Sequence, residues 1–185
     1  MINSVYQKVL GNEFEKLSPL MQEVHGSVEH VLAFGKIDVE YGKGGFIRIM
    51  NKMNGLPPEG KNQELQLEIT RSLTNEVWKR SFKASQNGSS GRGDIFSTTQ
   101  FERKGLMVEK SGLINFGFNL ITKEGAMYFQ QKFMRFAGIP VPKIFGVQTK
   151  ASCAEENGSW CVTVEVRSPL FGLMLKYSGI VQLKK

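Results

Sequence analysis

The chain has 185 residues, of which 41% are hydrophobic and 10% aromatic, so residues 1–185 are expected to form a single folded domain. The net charge is +7, and most of the basic excess lies in the C-terminal half. This composition excludes an intrinsically disordered chain, and no apolar run approaches the ~20 residues of a membrane-spanning helix. The N-terminus has no secretory pattern, so a cytoplasmic protein is expected.

The first 26 residues predict two short helices. Apolar residues recur there at helical spacing: Val5, Tyr6, Val9 and Leu10. Gly11 is suited to end the first helix, and Ser18 followed by Pro19 is typical of an N-cap and a first helical residue. His25 at the end of the second helix is expected to make a favourable contact with the helix dipole rather than to bind a metal.

The remainder predicts strands, interrupted by one helix. Residues 31–41 alternate like a strand, whereas Phe46, Ile49, Met50 and Met53 share one helical face, which predicts a helix over residues 45–54. From residue 64 onward only strands are predicted. They cover 64–73, 76–84, 94–103, 105–111, 113–122, 126–137, 143–154, 159–168 and 172–183.

Alternation with a period of two gives each of these strands one buried face. The buried faces are exemplified by Trp160, Val162, Val164 and Val166, and by Leu65, Leu67, Ile69 and Leu73. Short polar or Gly-bearing turns favour antiparallel neighbours. The predicted fold is α+β and mainly β. It is a strongly curved antiparallel sheet or barrel-like half-barrel of about ten strands, with the N-terminal helices and the 45–54 helix packed against it.

Cys153 and Cys161 flank the triplet Glu156-Asn157-Gly158, which suits a three-residue hairpin loop. In that register the two cysteines would face each other and could form a disulfide under oxidising conditions. Because no secretory signal is present, two reduced thiols are expected.

Several short strings occur in a characteristic order and spacing from about residue 5 to residue 182. They are Tyr6 to Gly26, Gly55 to Pro58, Trp78 to Phe82, Gly105 to Glu109, Ala137 to Pro142, Pro169 to Gly172 and Tyr177 to Gly179. Together they resemble the bacterial family called domain of unknown function 4166. The resemblance implies a stand-alone protein or a C-terminal domain, which in some members follows a saccharopine-dehydrogenase-like nucleotide-binding domain. It implies no particular catalytic residues.

Trp78, Arg80 and Phe82 share one face of a predicted strand. Two aromatic rings that flank a guanidinium could hold an anionic group through cation–π contacts and paired hydrogen bonds. The alternative is an outer strand whose Arg reaches solvent. If this face lies inside a barrel, Arg80 needs a partner, which Glu109 or Glu102 could supply.

Three functions are compatible with these patterns. The first is a binding module that holds a hydrophobic, amphipathic or anionic small molecule in a β-sheet cavity. The predicted aromatic lining is Trp78, Phe82, Phe116, Phe118, Phe129, Phe133 and Tyr177, and the predicted polar residues are Arg80, Arg135 and Glu109. The second is a basic protein that contacts an anionic membrane surface or a protein partner, nucleic acid being a weaker fit.

The third function is an enzyme accessory to a reductase-type partner, which rests on the family resemblance alone. No string in the sequence predicts catalytic residues, a metal site or a cofactor. Enzymatic activity is therefore left open, with the balance against it, and the oligomeric state is not predicted.

Overall fold

The computed structural model describes residues 3–43, 59–82 and 95–184. Three short helical segments come first: α1 (Val5–Leu10), a 3₁₀ helix (Gly11–Lys16) and α2 (Pro19–His25). The strands are β1 (His30–Tyr41), β2 (Gly60–Arg71), β3 (Glu76–Phe82), β4 (Ile95–Arg103), β5 (Leu106–Ser111), β6 (Ile114–Lys123), β7 (Ala126–Phe136), β8 (Ile139–Pro140), β9 (Gln148–Glu156), β10 (Ser159–Ser168) and β11 (Gly172–Leu183). The predicted helix over residues 45–54 lies outside the described residues.

The sheet closes on itself. Its strand order is β6-β5-β4-β3-β2-β1-β11-β10-β9-β7, and β6 also pairs with β7. Ten antiparallel strands therefore form a closed barrel, and the two-residue strand β8 extends it from β7. The predicted mainly β, strongly curved antiparallel architecture is confirmed. Closure pairs the two strands that would otherwise be the edges of a sheet of this length.

Two-residue turns set the register of several hairpins. Both turn residues have positive φ in the pairs Lys104-Gly105, Glu124-Gly125, Ala137-Gly138 and Asn157-Gly158. This is the backbone geometry of a type I′ turn, whose twist matches that of the flanking strands. Glycine at the second position adopts positive φ without the steric cost that other residues incur.

The turn at Asn157-Gly158 corrects the predicted cysteine register. Ser159 pairs with Glu156, so the loop has two residues rather than three, and Val162 rather than Cys161 lies opposite Cys153. A shift of one residue places the two thiols on opposite faces of the sheet. The prediction that they face each other is wrong. Both cysteines are free, and only Cys153 is buried.

The segment before β9 also differs from the prediction, which began a strand at residue 143. Residues 142–146 instead form a turn in which the backbone N–H groups of Phe145 and Gly146 both donate to the Pro142 carbonyl, at 2.9 and 3.0 Å. Pro140 and Pro142 lack backbone N–H groups, so this part of the chain cannot form a regular ladder. The strand begins at Gln148.

The helices cover one end of the barrel, which we call the helix end. The Val5 N–H donates to Glu76 Oε1 at 2.7 Å, the Ser18 N–H to the Gly125 carbonyl at 3.0 Å and the Leu20 N–H to Glu155 Oε2 at 3.1 Å. The Ser18 hydroxyl accepts from the Met21 N–H, and Gly11 has φ of 53°, so the predicted helix start and stop are confirmed. Within the described ranges, the helices are too short or too polar to span a bilayer.

Candidate ligand-binding cavity

The barrel encloses a cavity of about 300 Å³. Its wall extends from Tyr6 and His25 at the helix end to Ser111, Ile114 and Val147 at the opposite end. Most of the lining is apolar, and a few polar side chains interrupt it. This volume is at the lower end of the ~300–1,000 Å³ range of small-molecule sites, which share this mixture of apolar walls and few polar groups.

Strand alternation explains which side chains reach the cavity. The inward positions include Trp78, Arg80 and Phe82 on β3, Ile114, Phe116 and Phe118 on β6, and Trp160, Val162, Val164 and Val166 on β10. The Phe118 ring centroid lies 6.1 Å from that of Phe116 and 6.0 Å from that of Phe129, and the latter pair meet edge to face. These rings form a continuous aromatic wall.

Arg80 supplies the cationic group of the cavity wall. Its Nη1 donates to Thr98 Oγ1 at 3.2 Å, and its Nη2 lies 3.8 Å from Glu109 Oε1. The guanidinium carbon lies 5.5 Å from the ring centroids of both Trp78 and Phe96. A guanidinium has five N–H donors, so the contacts within the described residues leave donor capacity beside the cavity.

Glu109 is the acidic partner of Arg80, whereas Glu102 accepts a hydrogen bond from the Gly105 N–H in an exposed turn. Glu109 also accepts from Gln100 Nε2 at 3.5 Å, and the Tyr6 hydroxyl donates to Gln100 Oε1 at 2.7 Å. A chain of polar contacts therefore runs from α1 to the Arg80 guanidinium.

An aromatic cluster closes the cavity at the helix end. The His25 ring centroid lies 4.3 Å from that of Tyr6, 5.6 Å from that of Trp78 and 5.5 Å from that of Trp160. Among the described residues, the buried His25 Nδ1 has no hydrogen-bond partner, whereas the Trp160 indole interacts with the Cys153 thiol. Buried polar atoms without partners are uncommon, so His25 Nδ1 is a candidate contact for a polar group in the cavity.

Burial keeps the titratable groups of this cluster in their neutral forms. It lowers the pKa of His25 to about 3, and nearby Arg71 adds to that effect. The Cys153 Sγ lies 3.9 Å from His25 Nε2, and burial raises the pKa of this thiol to about 12. A neutral imidazole gains little from a helix dipole, so the role predicted for His25 is wrong.

The two cavity tyrosines are also neutral at physiological pH. Burial raises the pKa of Tyr6, with Glu76 and Glu109 adding to the effect, and burial likewise raises the pKa of Tyr177. The Tyr177 side chain is partly accessible. Because its ring lines the cavity, the accessible part faces the inside of the barrel. These hydroxyls serve as hydrogen-bonding groups at neutral pH. Within the described ranges, no three His, Cys, Asp or Glu side chains cluster closely enough to hold a metal ion.

Arg135 and Phe133 lie on the outside of the barrel, contrary to the sequence prediction. Gly117 pairs with Phe133 but Phe118 pairs with Gln131, so β7 contains a bulge at Lys132. Before the bulge the odd-numbered residues of β7, such as Phe129, point into the barrel, and after it the even-numbered residues, such as Met134, do so. The Arg135 guanidinium instead lies 5.3 Å from the Phe133 ring centroid.

The cavity unites most of the residues predicted for the site. Those that line it are Trp78, Arg80, Phe82, Glu109, Phe116, Phe118, Phe129 and Tyr177. Further lining residues were not predicted for the site, among them Tyr6, His25, Gln100, Cys153 and Trp160. For Gln100 and Trp160 a signal existed, because both lie at inward positions of their strands. Tyr6 and His25 come from helices whose docking position the strand pattern does not encode.

Comparison with known proteins gives a family and distant structural likenesses, among them two solved structures. The crystal structure of Rv2717c from M. tuberculosis matches with a TM-score of 0.47 and 10% identity, covering 91% of this chain and 99% of that one. The dehydratase domain from the CurF module of curacin polyketide synthase matches with a TM-score of 0.17 and 7% identity, covering 97% and 82%. At this level of likeness neither structure identifies a ligand or an activity for this chain.

In sequence, none of the curated proteins matches the chain. The family model described as Domain of unknown function (DUF4166) matches residues 17–180, which is most of the chain. This match agrees with the resemblance inferred from the short sequence strings, which run from the N-terminal helices to the last strand. The chain therefore belongs to the DUF4166 family.

Proposed function

We propose that the barrel binds an amphipathic small molecule, with its apolar part against the aromatic and valine walls and its polar end at Arg80. The observation that carries the proposal is a largely apolar cavity inside the barrel, in which Arg80 is the cationic side chain among the described lining residues. Packed protein interiors leave few voids larger than a water molecule, so a cavity of about 300 Å³ is a feature to be explained.

The chemistry of the wall defines the polar end of the ligand. Arg80 has free donor capacity, so it favours a hydrogen-bond acceptor such as a carboxylate or carbonyl oxygen. Glu109 lies 3.8 Å from the guanidinium and offsets part of its charge. A charged acceptor therefore gains less here than at an unpaired Arg, and a neutral carbonyl compound remains a member of the proposed ligand class.

The unpartnered His25 Nδ1 at the helix end supports a second polar contact. It is a donor or an acceptor according to the tautomer. A ligand with a hydroxyl group at its far end would satisfy it in either tautomer.

Tryptophan fluorescence provides a direct assay, because both tryptophans of the chain, Trp78 and Trp160, line the cavity. We would titrate the protein with decanoate and, separately, with decanol. Replacing inward Val164 by Phe should fill part of the cavity and weaken binding of both at least tenfold. The matched control is Thr163→Phe on the outer face of the same strand, which should bind as the wild type does. Equal binding by the two variants would place the ligand outside the barrel and overturn the proposal.

Arg80→Ala tests the polar anchor separately. It should weaken decanoate binding by about tenfold, which corresponds to loss of one charge-assisted hydrogen bond, and change decanol binding less. Lys79→Ala on the outer face of β3 is the control, because its side chain is 47% exposed. If Arg80→Ala weakens both ligands equally, Arg80 supports the fold of the wall and does not hold the polar end.

A further inference from the structure

The barrel end opposite the helices exposes several large apolar side chains among the described residues, and we call five of them the apolar rim. They are Leu113, Ile139, Ile144, Phe145 and Leu170, and each is between 56% and 70% exposed. Single exposed hydrophobic residues are ordinary, but a group drawn together at one end of a fold marks an interaction surface.

The apolar rim comes from three chain connections that are neighbours in space. The Ala137 N–H donates to the Leu113 carbonyl at 2.8 Å, which joins the β5–β6 turn to the segment after β7. Gln148 pairs with Arg167, which brings the segment before β9 beside the end of β10. Ile114, Val147 and Val166 line the cavity just inside these connections. The apolar rim therefore borders one end of the cavity wall.

The surface around the apolar rim is strongly basic. Residues 110–115, 132–150 and 165–176 contain seven basic side chains: Lys110, Lys132, Arg135, Lys143, Lys150, Arg167 and Lys176. They contain one acidic side chain outside the cavity, Glu165, which accepts a hydrogen bond from Arg167 Nε at 2.6 Å. Acidic residues at this end include Glu40 on β1, which lies opposite Lys176 on the neighbouring strand β11, so the seven basic side chains still outnumber the acidic ones around the apolar rim.

We propose that this face docks on the surface of an anionic lipid bilayer. The apolar rim would enter the headgroup layer, while the surrounding Lys and Arg side chains contact anionic headgroups. A second copy of the chain is a poor occupant, because two such faces would repel each other through their like charges. Nucleic acid is the competing occupant, because Phe145 belongs to the apolar rim and Phe136 and Phe171, each 52% exposed, lie beside it; the other four rim side chains are aliphatic and favour a lipid surface.

Vesicle sedimentation tests this proposal with the full chain. Wild-type protein should bind phosphatidylcholine vesicles that contain 30% phosphatidylserine, and its binding should fall at least tenfold when the salt is raised from 0.05 to 0.5 M. Pure phosphatidylcholine vesicles should bind it at least tenfold more weakly. The double variant Ile144→Ser, Phe145→Ser and the double variant Lys143→Glu, Lys150→Glu should each lose at least tenfold in binding to the mixed vesicles.

Matched controls come from other surfaces of the barrel. Leu73→Ser removes a large hydrophobic residue that is 73% exposed at the helix end, and Lys123→Glu reverses a charge at the same end, where the Lys123 side chain is 70% exposed. Both should bind mixed vesicles as the wild type does, and a thermal unfolding curve checks that every variant is folded. The cavity-filling variant Val164→Phe should also bind vesicles normally, which separates this proposal from the cavity ligand.

Three outcomes would overturn the proposal. They are no binding to mixed vesicles, equal loss in the helix-end control and the rim variants, or retention of polyuridylate RNA with no retention of vesicles. The last outcome would assign the basic face to nucleic acid.

Discussion

Arg71 Nε lies 3.2 Å from Glu76 Oε2, and both side chains are shielded from solvent, at 0% and 1% exposure. The pair spans the β2–β3 turn at the helix end. Arg71 also donates to the carbonyl oxygens of Val28 and Val24, while Glu76 accepts from the Val5 N–H. This buried ion pair therefore links the start of α1 and the end of α2 to the β2–β3 hairpin.

Neutralising Glu76 should destabilise the protein strongly. Glu76→Gln leaves the buried Arg71 charge without a compensating anion, and breaking such a pair costs about 3–5 kcal/mol. The free energy of unfolding from urea denaturation at pH 7 measures this loss. Glu68→Gln is the control, because Glu68 is 36% exposed beside Lys79 and His30, and it should cost less than about 1 kcal/mol. Similar costs in the two variants would mean that the buried pair has no special structural role.

Acidification should destabilise the protein through His25. Its folded-state pKa of about 3 lies below the ordinary value of 6.5, so the unfolded chain takes up a proton that the folded state excludes as pH falls between these values. Between pH 7 and pH 5 this loss is about 2 kcal/mol of unfolding free energy. Burial raises the pKa of Glu76, which acts in the opposite direction, so the comparison must be between variants.

Unfolding in urea at pH 7 and pH 5 measures the effect of His25→Gln. This variant cannot take up the proton, so it should lose about 2 kcal/mol less than the wild type over this range. The same pH dependence in both proteins would show that His25 is not excluded from protonation in the fold.

Phe118→Ala should remove a central part of the aromatic wall. Phe118 is 3% exposed and lies against Phe116 and Phe129, so its truncation should cost about 3–5 kcal/mol. Ile121→Ala on the same strand is the control, because Ile121 is 43% exposed and should cost less than about 1 kcal/mol. A near-zero change for Phe118→Ala in thermal or urea unfolding would mean that this face is not buried.

Gly179 on β11 lies directly against the β1 backbone, opposite Ile37. A Cβ at this position would stand 2.1 Å from the Lys36 carbonyl oxygen and 2.6 Å from Ile37 Cα. Gly179→Ala must therefore push the two strands apart, and we expect it to cost at least about 1–3 kcal/mol. Ser178→Ala, beside it in the strand, should change the unfolding free energy by less than about 1 kcal/mol. If both variants unfold alike, the close approach of these strands is not required for stability.

The sequence predicted the architecture well where strand alternation carried the information. The inward faces of β3, β6 and β10 are as expected, because a period of two assigns every side chain of a regular strand to one face. The prediction failed where one extra or missing residue reverses which side chains of a strand point into the barrel. The bulge at Lys132 turned Phe133 and Arg135 outward, and the two-residue turn at Asn157-Gly158 separated Cys153 from Cys161.

The buried polar groups were the other source of error. The alternation along β2 assigned Leu73 to the buried face, but Leu73 lies in the turn at 73% exposure, and Arg71 is the inward residue. Nothing in local hydrophobicity predicts a buried Arg, because its burial depends on Glu76 and on carbonyl groups from the helices. His25 was missed for the same reason, since its aromatic neighbours come from α1, β3 and β10.

Mass spectrometry of the intact protein tests the central claim, a small molecule bound inside the barrel. Wild type and Val164→Phe would be measured under native and denaturing conditions, as purified from cells and after incubation with decanoate. We predict that the wild type carries an additional mass that dissociates on denaturation, and that Val164→Phe carries much less of it. The bare protein mass in every sample, or the same additional mass on both proteins, would contradict the account.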